Sequence, residues 1–347
     1  MQTITLGRTD IAVTDWCLGT MTFGNQTPSG DAHRQIDMAL DAGLTFMDCA
    51  EMYPVNPVSR ETAGRSEEIL GAWFAKSGRR ADWVLATKVS GPNGGFVRDG
   101  AGYTGANIGD AIDASLRRLQ TDMIDLYQLH WPDRGSWAFR SNWGYDPSAQ
   151  DRTTTLDHMH EVLTALDAAV KAGKIRAVGL SNETAWGTTK WCDVAEQHGL
   201  PRMAAIQNEY SPLCRIIDTD LSEVMVNEDV TLLSYSPLAA GLLTGKYQDG
   251  AVPAASRMSL NGDLGGRKTD RAFDAVQAYL DIAARHDIDP VHMAMAWQAT
   301  RPFAVSAIFG ATTADQLAQI LAGRDLVLSE EVVAEIDAAH KAHPMPY

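Results

Sequence analysis

The stretch from 83 to 130 opens on WVLATK (83–88), passes through DAIDASLRRL (110–119) and closes on MIDLYQLH (123–130). The outer two are compact apolar runs of strand length. In the middle one, Ile112, Ser115, Leu116 and Leu119 recur at helical spacing, and Asp110 and Asp113 occupy early turns, where acids suit the helix dipole. The unit reads as strand, helix, strand. Outward from it, the same alternation runs along the chain. Further apolar runs are DWCLG (15–19), LTFMD (44–48), IRAVGLS (175–181), MAAIQN (203–208), VTLLSY (230–235) and FAVSAIFG (303–310). Helical patterns fall at 30–42, 66–76, 106–120, 156–172, 184–198, 219–228, 271–286 and 313–322. Eight strands alternating with helices predict an α/β fold, a (β/α)8 TIM barrel forming a single domain over 1–347.

A doubly wound sheet is the rival fold. Its phosphate loop should follow the first strand as GxGxxG, and the expectation is that neither this motif nor a Walker A pattern occurs anywhere in the chain. The opening TITLGRTDIAVT (3–14) reads as a short amino-terminal β-hairpin, with Gly7 and Asp10 near its turn, capping the barrel bottom. The longest irregular stretches, 89–105, 131–155 and 245–268, all follow strands, so a barrel would gather them on one rim.

A net charge of −15 disfavours a nucleic-acid surface, which needs a concentrated basic patch. Small anions stay open as ligands, because helix-start amides can bind them. Cys17, Cys49, Cys192 and Cys214 are scattered, with no CxxC pair, which suits a reducing cytoplasm. MQTITLGRTD lacks a basic region followed by an apolar core, and no window resembles a membrane span. The expectation is a cytoplasmic protein without membrane or nucleic-acid partners. No feature identifies a self-association face, so a homo-oligomer stays open.

Asp48, Lys88 and His130 end the second, third and fourth barrel strands, and Tyr53 lies a short loop beyond Asp48. A barrel brings these endings together on its carboxyl-terminal rim, where function resides. Singly, an acid there is a cap, a lysine is solvated and a tyrosine packs. Jointly they suit proton transfer. A phenol with a free pKa of about 10 can donate a proton near neutrality, and an adjacent ammonium favours the phenolate. Asp48 can hold Lys88, and His130 can hydrogen-bond a carbonyl oxygen. Asp48, Glu51 and His130 make a poor metal centre because Lys88 opposes a cation, so no metal is expected.

These residues resemble the aldo-keto reductase superfamily, in particular its branch of bacterial Tas-like proteins and potassium-channel β subunits. The likeness spans essentially the whole chain. The family's DTA-x-x-Y stands here as DCAEMY (48–53), with Cys49 in place of threonine and Pro54 in place of the usual glycine. The resemblance implies catalytic roles for Asp48, Tyr53, Lys88 and His130. In GLSNE (179–183) and IQNEYSPL (206–213) it implies nicotinamide carboxamide contacts for Ser181, Asn182 and Gln207. In YSPLAAGLLTGKY (235–247) it implies a stacking role for Tyr235. Ser236, Pro237, Leu238, Gly241, Leu243 and Lys246 would pass along the cofactor diphosphate, which Arg257 could also reach. FGATTADQLAQI (309–320) resembles the adenosine phosphate site, with Gly310, Thr312 and Gln316 at usable positions. Many relatives carry arginine at the position of Thr312, and Ile320 replaces an adenine-contacting asparagine.

The implied activity is NADPH-dependent reduction of an aldehyde or ketone, with NADH as the other donor and Tyr53 as general acid. Two alternatives are oxidation of a sugar or alcohol on the same machinery, and a nucleotide-binding redox sensor or scaffold. The loop after His130 carries Trp131, Trp137, Phe139, Trp143 and Tyr145, with Arg134 and Arg140 among them. It could wall an apolar pocket or greet an acid or sugar; Trp131 and Trp143 are the candidate substrate contacts.

Overall fold

In the computed structural model, which describes residues 1–347, the chain starts with β1 (Thr3–Thr5) and β2 (Ala12–Thr14), an antiparallel hairpin. Eight parallel strands follow: β3 (Trp16–Gly19), β4 (Phe46–Asp48), β5 (Val84–Val89), β6 (Ile124–Leu129), β7 (Ile175–Ser181), β8 (Met203–Glu209), β9 (Thr231–Tyr235) and β10 (Val305–Phe309). They pair in chain order, and β10 closes the barrel on β3 through Ile308 opposite Cys17. The eight runs picked out in the sequence are these eight strands. The fold is a (β/α)8 barrel.

Strand periodicity explains the interior. Side chains two apart share a face, and every barrel strand joins a 12-residue apolar cluster with the hairpin: Cys17, Phe46, Ala86, Leu126, Ala177, Ala204, Ala205, Leu233 and Ile308 meet Leu6, Ile11 and Val13. The hairpin therefore plugs the bottom. Gly7 lies at φ +50°, its amide donating to Thr231 Oγ1 at 2.9 Å, where a Cβ would strike the Ala204 carbonyl oxygen at 2.7 Å. Two residues up the same face the character reverses. Phe46 gives way to Asp48, Ala86 to Lys88, Leu126 to Gln128, and Ala205 to Gln207. The larger apolar cluster, 77 residues, packs the outer strand faces against the helices.

Three sequence expectations need correction. The helix expected from 156 begins at Arg152, because Asp151 caps it by accepting from the Thr154 amide at 2.7 Å; the Thr153–Thr155 run hides that start. Helices Pro290–Trp297 and Glu330–Ala342 were not anticipated. In the first, Val291 and Met293 to Trp297 are all buried, so no amphipathic stripe marks it. Finally, GAGYTG (100–105) does spell GxGxxG, but in the loop after β5. There Tyr103 is buried and donates to the Trp131 carbonyl at 3.2 Å, while Gly102 and Gly105 pack on Asp133 and Glu161. No helix is long and apolar enough to cross a membrane.

Candidate active site

The polar inner layer forms a connected floor at the barrel mouth. Lys88, with 0% exposure, spends its three ammonium protons on Asp48 Oδ2 at 2.6 Å, the Cys49 carbonyl at 2.7 Å and the Tyr53 hydroxyl oxygen at 3.3 Å. The other Asp48 oxygen accepts from Gln128 Nε2 at 3.1 Å and Gln207 Nε2 at 2.9 Å. Gln207 also donates to Gln128 Oε1 at 3.1 Å. Sequence reasoning missed Gln128; its signal was the inward spacing Leu126, Gln128, His130.

Electrostatics sort the protons. Burial alone would lower the Lys88 pKa, but Asp48 and Tyr53 together hold it above the ordinary lysine value, so the ammonium persists. Burial raises the Tyr53 pKa, with Lys88 opposing, so the phenol stays protonated at neutral pH. Burial, then Lys88, pushes His130 well below the ordinary histidine value, leaving a neutral imidazole. Its Nδ1 is buried without a hydrogen-bond partner. The rings of Tyr53 and His130 meet edge-on with centroids 5.8 Å apart. Cys49 is buried and its thiol pKa is raised by that burial, which argues against thiol chemistry.

Beside this floor, Ser181 Oγ donates to the Gln207 carbonyl at 2.9 Å, and Asn182 Nδ2 donates to the His130 carbonyl at 2.9 Å. Tyr235 donates its hydroxyl to Asn182 Oδ1 at 2.8 Å. These residues therefore adjoin Asp48, Tyr53, Lys88 and His130 through one chain of hydrogen bonds. Beyond Tyr235, Ser236, Ala239, Ala240 and Gly241 all take positive φ, from +48° to +94°. Successive left-handed residues turn backbone amides toward one side, as anion nests do. At Gly241 a Cβ would come 2.8 Å from Lys246 Cε. Pro237 and Leu243 are buried, Leu238 is half-buried and Lys246 is exposed.

Arg257 opens a short helix, Arg257–Leu260, and its half-buried guanidinium makes no ion pair or hydrogen bond within the chain. Burial and then Arg267 lower its pKa. A half-buried cation without a carboxylate suits an anionic ligand such as a dinucleotide diphosphate. At the far end, Gly310 follows β10, and Thr313 caps the helix Ala314–Ala322. The Thr312 amide and hydroxyl both bond Gln316 Oε1 at 3.0 Å, so these two candidates engage each other. Ile320 is buried in the core.

The two tryptophans separate. Trp131 sits 4.9 Å from the His130 ring and donates to the Pro92 carbonyl at 3.0 Å. Trp143 is 63% exposed, with Arg271 over its ring, and belongs to the outer surface. Arg134 and Arg140 are both engaged: Arg134 with Glu183 at 2.9 Å and Arg140 with Glu209 at 2.7 Å. Glu51 accepts from the Ser90 amide at 2.6 Å and pairs with Arg98, tying down the loop after β5.

A family model described as the aldo/keto reductase family matches residues 16–341. The chain belongs to that family. It is similar to Protein tas of Escherichia coli strain K12, 43% identical over 352 residues, which cover 100% of this chain and 99% of that protein. The uncharacterized oxidoreductase YrpG of Bacillus subtilis is 32% identical, covering 96% and 94%. A probable voltage-gated potassium channel subunit beta of Oryza sativa subsp. japonica is 30% identical, covering 99% and 98%. As an aldo/keto reductase, the protein is an NAD(P)(H)-using oxidoreductase with carbonyl-reduction chemistry.

Proposed function

We propose that this aldo/keto reductase reduces a neutral aldehyde or ketone, with NADPH as preferred donor, NADH as the other, and Tyr53 as the general acid. The observation that carries the reading is the buried Tyr53 hydroxyl, whose oxygen lies 3.3 Å from the fully buried Lys88 ammonium that donates to it, and burial, which raises its pKa, keeps the phenol's proton in place at neutral pH. Because Lys88 donates to that oxygen, the phenol's own proton is free to leave toward a substrate, and the ammonium stabilises the phenolate left behind. Asp48, held by two amides, keeps Lys88 charged. His130, neutral, donates a hydrogen bond to the carbonyl oxygen without competing as an acid. When bound, the reduced nicotinamide supplies the hydride. Ser181, Asn182, Gln207 and Tyr235 are the residues that would hold it, with 236–246 and Arg257 along the diphosphate and Gly310, Thr312 and Gln316 toward the adenosine phosphate. Trp131 is the proposed substrate wall. With Arg134 and Arg140 already paired, the loop after β6 offers an acidic substrate no free cation. Four unpaired cysteines accord with a cytoplasmic setting.

A second reading rests on the similarity to a probable channel β subunit: a nucleotide-binding sensor or scaffold with slow turnover. A turnover screen over aldehydes, ketones and sugars, with each dinucleotide, separates the two. Tyr53→Phe should keep dinucleotide affinity within about twofold and lose about 10²- to 10⁴-fold in turnover. Carbonyl reduction persisting near the parent rate would overturn the proton-donor role.

A further inference from the structure

Glu209, the last residue of β8 and the register neighbour of Tyr235, is buried with both oxygens engaged by two different rim loops. Arg140, from the loop after β6, donates from Nη1 to Oε2 at 2.7 Å. Arg267, from the loop after β9, donates from Nε to Oε1 at 2.7 Å and from Nη1 to the Leu264 carbonyl at 2.9 Å. The buried Tyr347 adds its hydroxyl to Oε1 at 3.4 Å. The loops also touch each other. A Cβ on Gly266, at φ +83°, would stand 3.4 Å from Arg140 Cδ, and one on Gly265 would stand 3.6 Å from both Arg140 Nη2 and Arg267 Nη1. Two guanidiniums on one carboxylate leave a surplus positive charge, and the unpaired Arg257 lies in the same loop as Arg267. An anion on that side would complete the balance.

We propose that Glu209 is a positioning residue that fastens the substrate-side loop (131–151) to the cofactor-side loop (245–268), so that dinucleotide affinity depends on Arg140. This rests on the reading of 236–246 and Arg257 as the diphosphate track. Arg140 lies in the loop assigned to substrate, so a substitution there should act on the substrate alone if the loops are independent. Coupled loops transmit it to the cofactor. Arg140→Met is the informative change, because it leaves Glu209 paired with Arg267 and the charges balanced.

The test is NADPH titration by intrinsic tryptophan fluorescence, together with amide hydrogen exchange on the free protein. Arg140→Met should raise the NADPH Kd about tenfold, a typical size for coupling between sites. It should also speed exchange across 257–267, and Arg140→Lys should restore part of both. A Kd within twofold of the parent, or faster exchange confined to 131–151, overturns the coupling. The exchange readout needs no nucleotide, so it decides the coupling even if the parent bound neither dinucleotide. That failure would instead refute the proposed reaction.

Discussion

Asp48→Asn removes the counter-charge from the floor of the site while keeping its shape. In the parent, Asp48 takes the Lys88 ammonium at 2.6 Å on one oxygen and two glutamine amides at 3.1 and 2.9 Å on the other. Breaking one half of a buried ion pair costs about 3–5 kcal/mol. Asparagine still offers one acceptor, and Lys88 keeps the Cys49 carbonyl at 2.7 Å, which puts the expected loss near the lower end, about 3 kcal/mol. At about 2 °C per kcal/mol for a large domain, the melting temperature should fall by about 6 °C. The pH dependence gives a sharper sign. The parent's Lys88 pKa is raised, so the stability it contributes is present below the unfolded value of about 10.4 and is lost only as pH rises through the higher folded value. In the variant, burial loses Asp48, the largest of the groups that oppose it, and keeps only Tyr53 and Cys49 against it, so the folded pKa should drop below the unfolded one. The unfolded chain then holds the extra proton between those values, so variant stability rises with pH across that interval. Urea unfolding of parent and variant at pH about 7 and about 10 measures the difference. A deficit that shrinks toward high pH is expected; one that is constant or grows would refute the reasoning.

Other consequences are as open to measurement. His130 is held neutral, so kcat/KM for carbonyl reduction should show no histidine inflection between about pH 6 and 8; an acid limb near pH 6.5 would reveal a working imidazolium. Arg257→Met should raise the Kd for either dinucleotide about tenfold, as expected for losing a partly exposed charge-assisted contact. An unchanged Kd in a fluorescence titration would take Arg257 off the diphosphate. Thr312→Arg should shift the NADPH-to-NADH Kd ratio about tenfold toward NADPH, by adding a bidentate cation where the chain has a hydroxyl; an unmoved ratio would separate residue 312 from the adenosine phosphate.

The barrel could be read from the sequence because its strands are short, apolar and separated by periodic helices. Asp48, Lys88 and His130 stood out because each is a polar ending on such a run. Gln128 did not, since an amide inside MIDLYQLH looks like a tolerated polar residue until Asp48 lies across from it. Glu209 and Arg267 are far apart in sequence, with no local pattern to join them. Arg134 and Arg140 looked free to meet an acidic substrate because their partners come from elsewhere in the chain, Glu183 from the loop after β7 and Glu209 from the end of β8. The helix Pro290–Trp297 stayed hidden because burial on nearly all sides erases the periodicity that marks a surface helix.

The inward face of the strands changes from apolar plug to charged floor within two residues, about 6.6 Å of chain. Folding and chemistry therefore depend on the same register. A slip of one residue on β5 would swing Lys88 outward into the helix layer, and would also pull Ala86 out of the plug and put the larger Leu85 or Thr87 in its place. The misassembled form is thus rejected by hydrophobic burial before any substrate can sample it. A molecule whose hairpin has seated on Phe46, Ala86 and Leu126 has, by the same geometry, already delivered its carboxylate, ammonium and amide to the mouth.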